Sequence, residues 1–177
     1  FLYLGRIMKE KGIDELFYAV RHLKKENENF VLDLVGFFED EYKEQVKELE
    51  KHSIAHFYGF QSDPRPFYIE ADCVVLPSYH EGMSNVLLEA AATGRPVITS
   101  NIPGCRESVE NGKSGLLVEV KNKEMLYDAM KEMLHCSREE REQMGQAGRE
   151  KMEKEFRKEV VVEKTVQSLR EDEKRDF

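Results

Sequence analysis

Two short segments hold the residues of this sequence whose types and spacing could do chemistry. The first, Gly5-Arg6-Ile7-Met8-Lys9-Glu10-Lys11-Gly12, sets cations, Arg6 and Lys11 among them, between two glycines in an otherwise acidic stretch. The second, Pro77-Ser78-Tyr79-His80-Glu81-Gly82-Met83-Ser84-Asn85, opens an apolar helical run that contains Glu89, eight positions beyond Glu81. Cations facing the amino end of a helix make a site for an anion, most simply a diphosphate, because backbone amides and the helix dipole add to the side-chain charge. Arg6, Lys11 and the amides near Met83, Ser84 and Asn85 would share that phosphate. Glu89 stands among Leu87, Leu88, Ala90 and Ala91, where a carboxylate must find a partner or leave the core. Ligand hydroxyls would serve as partners; a wet face or a structural arginine would serve equally.

The elements that must position these segments are legible from periodicity. Short apolar runs at Phe1 to Leu4, Phe30 to Val35, Ala55 to Tyr58, Cys73 to Leu76, Val97 to Thr99 and Leu116 to Glu119 alternate with helical-period segments. That alternation predicts an α/β fold: a Rossmann-like, doubly wound parallel sheet of about six strands flanked by helices. Ile13, Leu16, Phe17, Val20 and Leu23 mark the first helix, with Asp14 and Glu15 suited to its amino end. Ser84 to Thr93 is apolar nearly all round and closed by Gly94, which predicts a buried helix. In a sheet of order 3-2-1-4-5-6, ligands bind beyond the carboxyl ends of strands one and four, where the order reverses. That order brings the two segments face to face. From Asn122 onward the pattern is helical alone, and Val160, Val161, Val162, Val166 and Leu169 give the last segment an apolar face for its own core or for something outside it. Residues 1–169 form the expected domain, and 170–177 a disordered tail.

Composition removes several function classes. With 27 basic and 35 acidic residues and a net charge of -8, there is no broad basic footprint for nucleic acid. No run approaches the ~20 apolar residues of a membrane-spanning helix. Cys73, Cys105 and Cys136 form neither a CxxC metal pair nor an even-numbered disulfide framework, so a reducing cytoplasm is the expected location. After Gly5 the next glycine is Gly12, which breaks the GxGxxG dinucleotide fingerprint, and GxxxxGK[ST] is absent. Phe1 opens directly in an apolar run, as expected for a piece of a longer chain.

Gly5-Arg6 with Lys11-Gly12, then Glu81 through Glu89, then Gly94-Arg95-Pro96-Val97-Ile98, closely resemble the glycosyltransferase family 4 group, which has the GT-B architecture. Pro103-Gly104 with Glu107 and the Asn111-Gly112 to Val118 stretch extend the resemblance to about Leu169. It implies that this chain is the second, sugar-nucleotide-binding domain of a retaining glycosyltransferase, without the N-terminal domain that binds the acceptor. It further implies that Arg6 and Lys11 hold the diphosphate, that Glu81 contacts the donor sugar, that amides from Gly82 to Asn85 face phosphate or sugar, and that Glu89 grips the ribose. Gly5 and the Tyr58-Gly59-Phe60 turn would line the nucleotide, with Phe60 either beside the base or a core aromatic. Transfer would be metal-independent, with no cofactor beyond the donor, and Glu81 would orient the sugar rather than attack it. His80 is not assigned as a base, since geometry must precede pKa.

Ser84-Asn85 departs from the glycine-rich form common after the first glutamate. The Glu-Gly-Met-Ser-Asn version looks most like enzymes building capsular or other surface polysaccharides from UDP-sugars on glycan or lipid-linked acceptors. That implies a cytoplasmic enzyme, with room for peripheral association at the inner face of the membrane. Two other readings share the fold: a non-catalytic sugar-nucleotide-binding or regulatory domain, and a GT-B-type sugar-nucleotide epimerase.

Overall fold

Strands buried on both faces read as continuous apolar runs, and that is how the runs fold except over Ala55–Gly59, an edge strand exposed at alternate positions. The computed structural model describes residues 1–173, with Asp40 and 169–173 described in backbone only. The strands are β1 (Leu2–Leu4), β2 (Leu32–Val35), β3 (Ala55–Gly59), β4 (Val74–Leu76), β5 (Val97–Ser100) and β6 (Gly115–Val118). They form one parallel sheet in the order β3-β2-β1-β4-β5-β6. The expected α/β class and the strand order both hold. Most strand ends lie within a residue of expectation, but Phe30 and Val31 stay outside β2. A register shift lets Val35 face Gly59 after Leu34 has faced Phe57, leaving Tyr58 as an extra residue that is half-exposed.

Seven helices flank the sheet among the described residues: α1 (Ile13–Lys25), α2 (Lys43–Lys51), α3 (Arg65–Glu70), α4 (Asn85–Ala92), α5 (Lys123–His135), α6 (Arg138–Glu155) and α7 (Lys158–Glu173). The apolar stripe of α1 is buried as its periodicity predicts. Tyr18 and Tyr127 tie α1 to α5 by donating to Glu124 and Glu26, both at 2.6 Å. A Ser137–Glu140 capping box starts α6. Against α4, α6 presents Gly145 and Gly148; a Cβ on Gly145 would come 1.9 Å from the Gly94 carbonyl oxygen. That backbone contact seats α4, the helix at the head of the site.

Three expectations need correction. The helix expected to be buried nearly all round buries only Leu87, Ala90 and Ala91; Asn85, Glu89 and Ala92 face water, because α6 covers one side alone. Of the tail expected to be disordered, 170–173 continue α7 in backbone, and 174–177 lie outside the described residues. In α7, Val161, Val162 and Val166 are exposed, so this apolar face does not pack on the domain's own sheet.

Candidate active site

Because β1 and β4 are neighbours, Leu2 beside Val74, the loops that leave their carboxyl ends must meet. They do so through backbone and side chains together. The amide of Tyr79 donates to the Glu10 carbonyl at 2.8 Å, and Gly12 lies directly against the Pro77 carbonyl. Two residues beyond Tyr79, Glu81 Oε1 receives Lys11 Nζ at 2.7 Å, an ion pair whose side chains are 15% and 21% exposed. Arg6 is exposed, and its side chain makes no hydrogen bond or ion pair among the described residues. Its backbone is held instead: the buried Tyr3 hydroxyl donates to the Arg6 carbonyl.

Tyrosines brace the amino end of α1 behind this pair. The largely buried Tyr79 places its hydroxyl 2.7 and 2.8 Å from the two oxygens of Glu15, and Tyr42 donates to Asp14 at 3.1 Å. Burial, and then the adjacent carboxylates, raises both phenols well above their ordinary range, so both remain donors.

The second loop is shaped from below by Gly104. Its φ is +86°, and a Cβ there would lie 1.6 Å from the Gly82 carbonyl oxygen and 2.6 Å from that of Glu81. Its amide donates to Glu107 at 2.8 Å, while its carbonyl accepts the Ser84 amide at 3.0 Å. Here the expectation for Ser84 fails. Ser84 is buried, its amide is spent on Gly104, and its hydroxyl does not cap α4. The amides that remain for an anion are those of Gly82, Met83 and the first turn of α4 from Asn85 on, where a helix has no acceptors of its own. Gly82, Met83 and Asn85 are exposed at this mouth.

On the other flank, Gly5, Gly36 and Gly59 form a bare backbone floor across β1, β2 and β3. The Gly5 amide donates to Val35 at 2.9 Å and that of Gly36 to Gly59 at 2.8 Å. Phe60, 71% exposed, stands at the edge of this floor, which removes the core-aromatic reading. Of the placements open to Glu89, the structure shows the wet face: it is exposed, and its Oε2 accepts a 2.9 Å hydrogen bond from Tyr68. His80 is exposed. Burial pushes the Cys105 thiol up to about 11 and that of Cys73 up to about 12, so neither is a thiolate nucleophile at neutral pH.

The family model described as glycosyl transferases group 1 matches residues 1–151, every element of this site included. The chain belongs to that family. Among curated relatives, the capsular polysaccharide biosynthesis glycosyltransferase CapM of Staphylococcus aureus is 30% identical over 164 residues, which is 91% of this chain and 43% of CapM. The C-terminal domain of LpcC, a glycosyl transferase group 1 family protein from Francisella tularensis, superposes with a TM-score of 0.74 at 27% identity, covering 89% of this chain and 85% of that one. Anabaena HepE, solved in complex with UDP, gives a TM-score of 0.80 at 20% identity over 96% of this chain and 48% of that one, a likeness of fold alone. This group 1 chain spans about half the length of the curated relatives it matches. Among the described residues no helix is long and apolar enough to cross a membrane.

Within this group 1 domain the structure brings together Gly5, Arg6, Lys11, Glu81, Gly82, Met83 and Asn85 around the junction of β1 and β4. Phe60 and Glu89 lie to its sides, on the β3 turn and on α4. Gly36, Tyr68 and Tyr79 escaped the sequence reading. A signal existed for Gly36, since a glycine ends β3 and directly follows β1 and β2; nothing in the sequence marked the role of Tyr68, which bonds Glu89 on α4, or that of Tyr79, which bonds Glu15 on α1.

Proposed function

We propose that this chain is the donor-binding domain of a retaining, metal-independent glycosyltransferase of family 4 that takes a nucleotide-diphosphate sugar, UDP-linked by preference. The observation that carries the proposal is the Lys11–Glu81 pair at the β1–β4 junction, with the unpaired Arg6 cation and the open amino end of α4 beside it. This arrangement can stabilise a departing diphosphate with two cations and a dipole. As the bond from the sugar's anomeric carbon to the diphosphate oxygen breaks, the acceptor hydroxyl bonds to the same face of that carbon. The hydroxyl's proton passes to the leaving phosphate, so the products are a glycoside and a nucleoside diphosphate. Glu81 orients the donor sugar through its hydroxyls, Glu89 accepts hydrogen bonds from the ribose, and Gly5, Phe60, Gly82, Met83 and Asn85 line the nucleotide, with Ser84 fixing the loop from behind.

The acceptor, a glycan or lipid-linked glycan of surface polysaccharide synthesis, binds a further domain of the whole protein. The 177 residues alone therefore do not transfer sugar. The whole enzyme works in the cytoplasm, at the membrane's inner face when its acceptor is lipid-linked. CapM, by its name, acts in capsular polysaccharide synthesis, which supports this class of product.

The division of labour between the two glutamates is tested by calorimetry and kinetics together. Glu89→Gln is expected to weaken binding of UDP itself by roughly tenfold, the scale of one charge-assisted hydrogen bond. Glu81→Gln is expected to leave UDP affinity within about twofold, while lowering sugar transfer by the whole enzyme roughly tenfold or more. Equal loss of UDP binding in both variants would remove the assignment.

A further inference from the structure

Glu89 has a long side chain on a water-facing side of α4, where rotamer freedom would ordinarily scatter its carboxylate. One contact prevents that. Tyr68 on α3 is 1% exposed, and its hydroxyl reaches out of the core to Glu89 Oε2 at 2.9 Å. The alternative acceptor within reach, the Val86 carbonyl, is 3.4 Å away, and the single phenolic proton favours the charged oxygen. Phenylalanine would fill the same core volume, so packing alone does not account for a hydroxyl in this place.

The donor's neutrality matters as much as its position. No lysine or arginine pairs with Glu89 among the described residues. A cation would neutralise the carboxylate and compete with an incoming hydroxyl; a phenol fixes one oxygen and leaves the negative charge, with Oε1, for a ligand. Burial, and then the nearby Glu89 charge, raises the phenol far above its ordinary range, so it stays protonated throughout the neutral region. A groove of about 540 Å³, bounded by Asp63, Pro64, Arg65, Tyr68, Glu89 and Ala92, leaves space beside the carboxylate, and the Arg65 guanidinium in it is paired with Asp63 at 2.7 Å.

We infer that Tyr68 is a positioning residue that holds Glu89 in the one orientation from which it accepts hydrogen bonds from the donor's ribose. This inference rests on the reading of Glu89 as the ribose grip. The test compares UDP with 2′,3′-dideoxy-UDP by calorimetry on the 177-residue chain and its Tyr68→Phe and Glu89→Gln variants, with thermal unfolding as a check of the fold. The parent chain is expected to prefer UDP by roughly tenfold or more, and Glu89→Gln to abolish that preference. Tyr68→Phe is expected to cut the preference to about two- or threefold while leaving affinity for the dideoxy nucleotide unchanged. If Tyr68→Phe weakens both nucleotides equally, or neither, Tyr68 is a core residue only, and the inference falls while the reading of Glu89 stands. If Glu89→Gln retains the full preference, or the parent chain shows none, the reading of Glu89 falls and this inference with it.

Discussion

Replacing Lys11 by alanine in the whole enzyme is expected to lower kcat/KM for sugar transfer by roughly 10- to 100-fold, with Arg6→Ala in the same range. A charge-assisted hydrogen bond to a phosphate contributes about 1.5 to 3 kcal/mol, and these two side chains are the cations assigned to the diphosphate. They differ in what else is lost. Among the described residues Arg6 has no side-chain partner to release, so its replacement is expected to remove phosphate binding alone. Lys11 also holds Glu81, and Lys11→Ala leaves that half-enclosed carboxylate uncompensated beside the diphosphate. Lys11→Ala is therefore expected to cost more than Arg6→Ala when UDP-sugar turnover is measured, and Lys11→Arg to recover part of the loss. Turnover unchanged in either alanine variant would contradict the assignment of the diphosphate to this pair.

Gly104→Ala is expected to abolish donor use for a different reason. The new methyl group would overlap the Gly82 carbonyl oxygen at 1.6 Å, so the Glu81–Gly82 loop must move, and the φ of +86° adds backbone strain. The loop carries both the sugar-facing carboxylate and the amides at the mouth of α4, and misplacement of about 1 Å is enough to cost roughly 100-fold in rate. Gly112→Ala separates the two causes. Gly112 has a φ of +76° with no atom within 4 Å of the added Cβ, so it bears the strain, about 1 kcal/mol, without the collision. The account expects UDP binding and turnover to survive Gly112→Ala with a small loss of thermal stability, and to be lost in Gly104→Ala. Comparable activity in both variants would show that the loop tolerates displacement.

The sheet was legible because a buried parallel strand leaves little choice of residue type, and runs such as Val74–Leu76 have no polar positions to blur them. The loops at β1 and β4 were legible for another reason: cations and glycines cluster at the switch point that the strand order creates. What escaped depends on partners distant in sequence. Glu89 looked enclosed by apolar neighbours along the chain, yet α6 covers only one face of α4, and the carboxylate emerges on another. Ser84 looked like an anion-facing amide, but Gly104, arriving from beyond β5, takes its hydrogen. The six-residue helix α3 is too short for a periodic signal, although Pro64 at its cap and Pro66 in its first turn are both compatible with a helix start. The hydroxyl of Tyr68 matters because the fold brings it within 2.9 Å of Glu89 on α4.

The central claim is that this chain holds a nucleoside diphosphate at the β1–β4 junction. Calorimetric titration of the 177 residues with UDP, GDP and ADP, repeated on Arg6→Ala, tests it most directly. Saturable one-to-one binding, tightest for UDP, is expected, weakening roughly tenfold or more in Arg6→Ala. Absence of binding to all three nucleotides, or binding indifferent to Arg6, would contradict it.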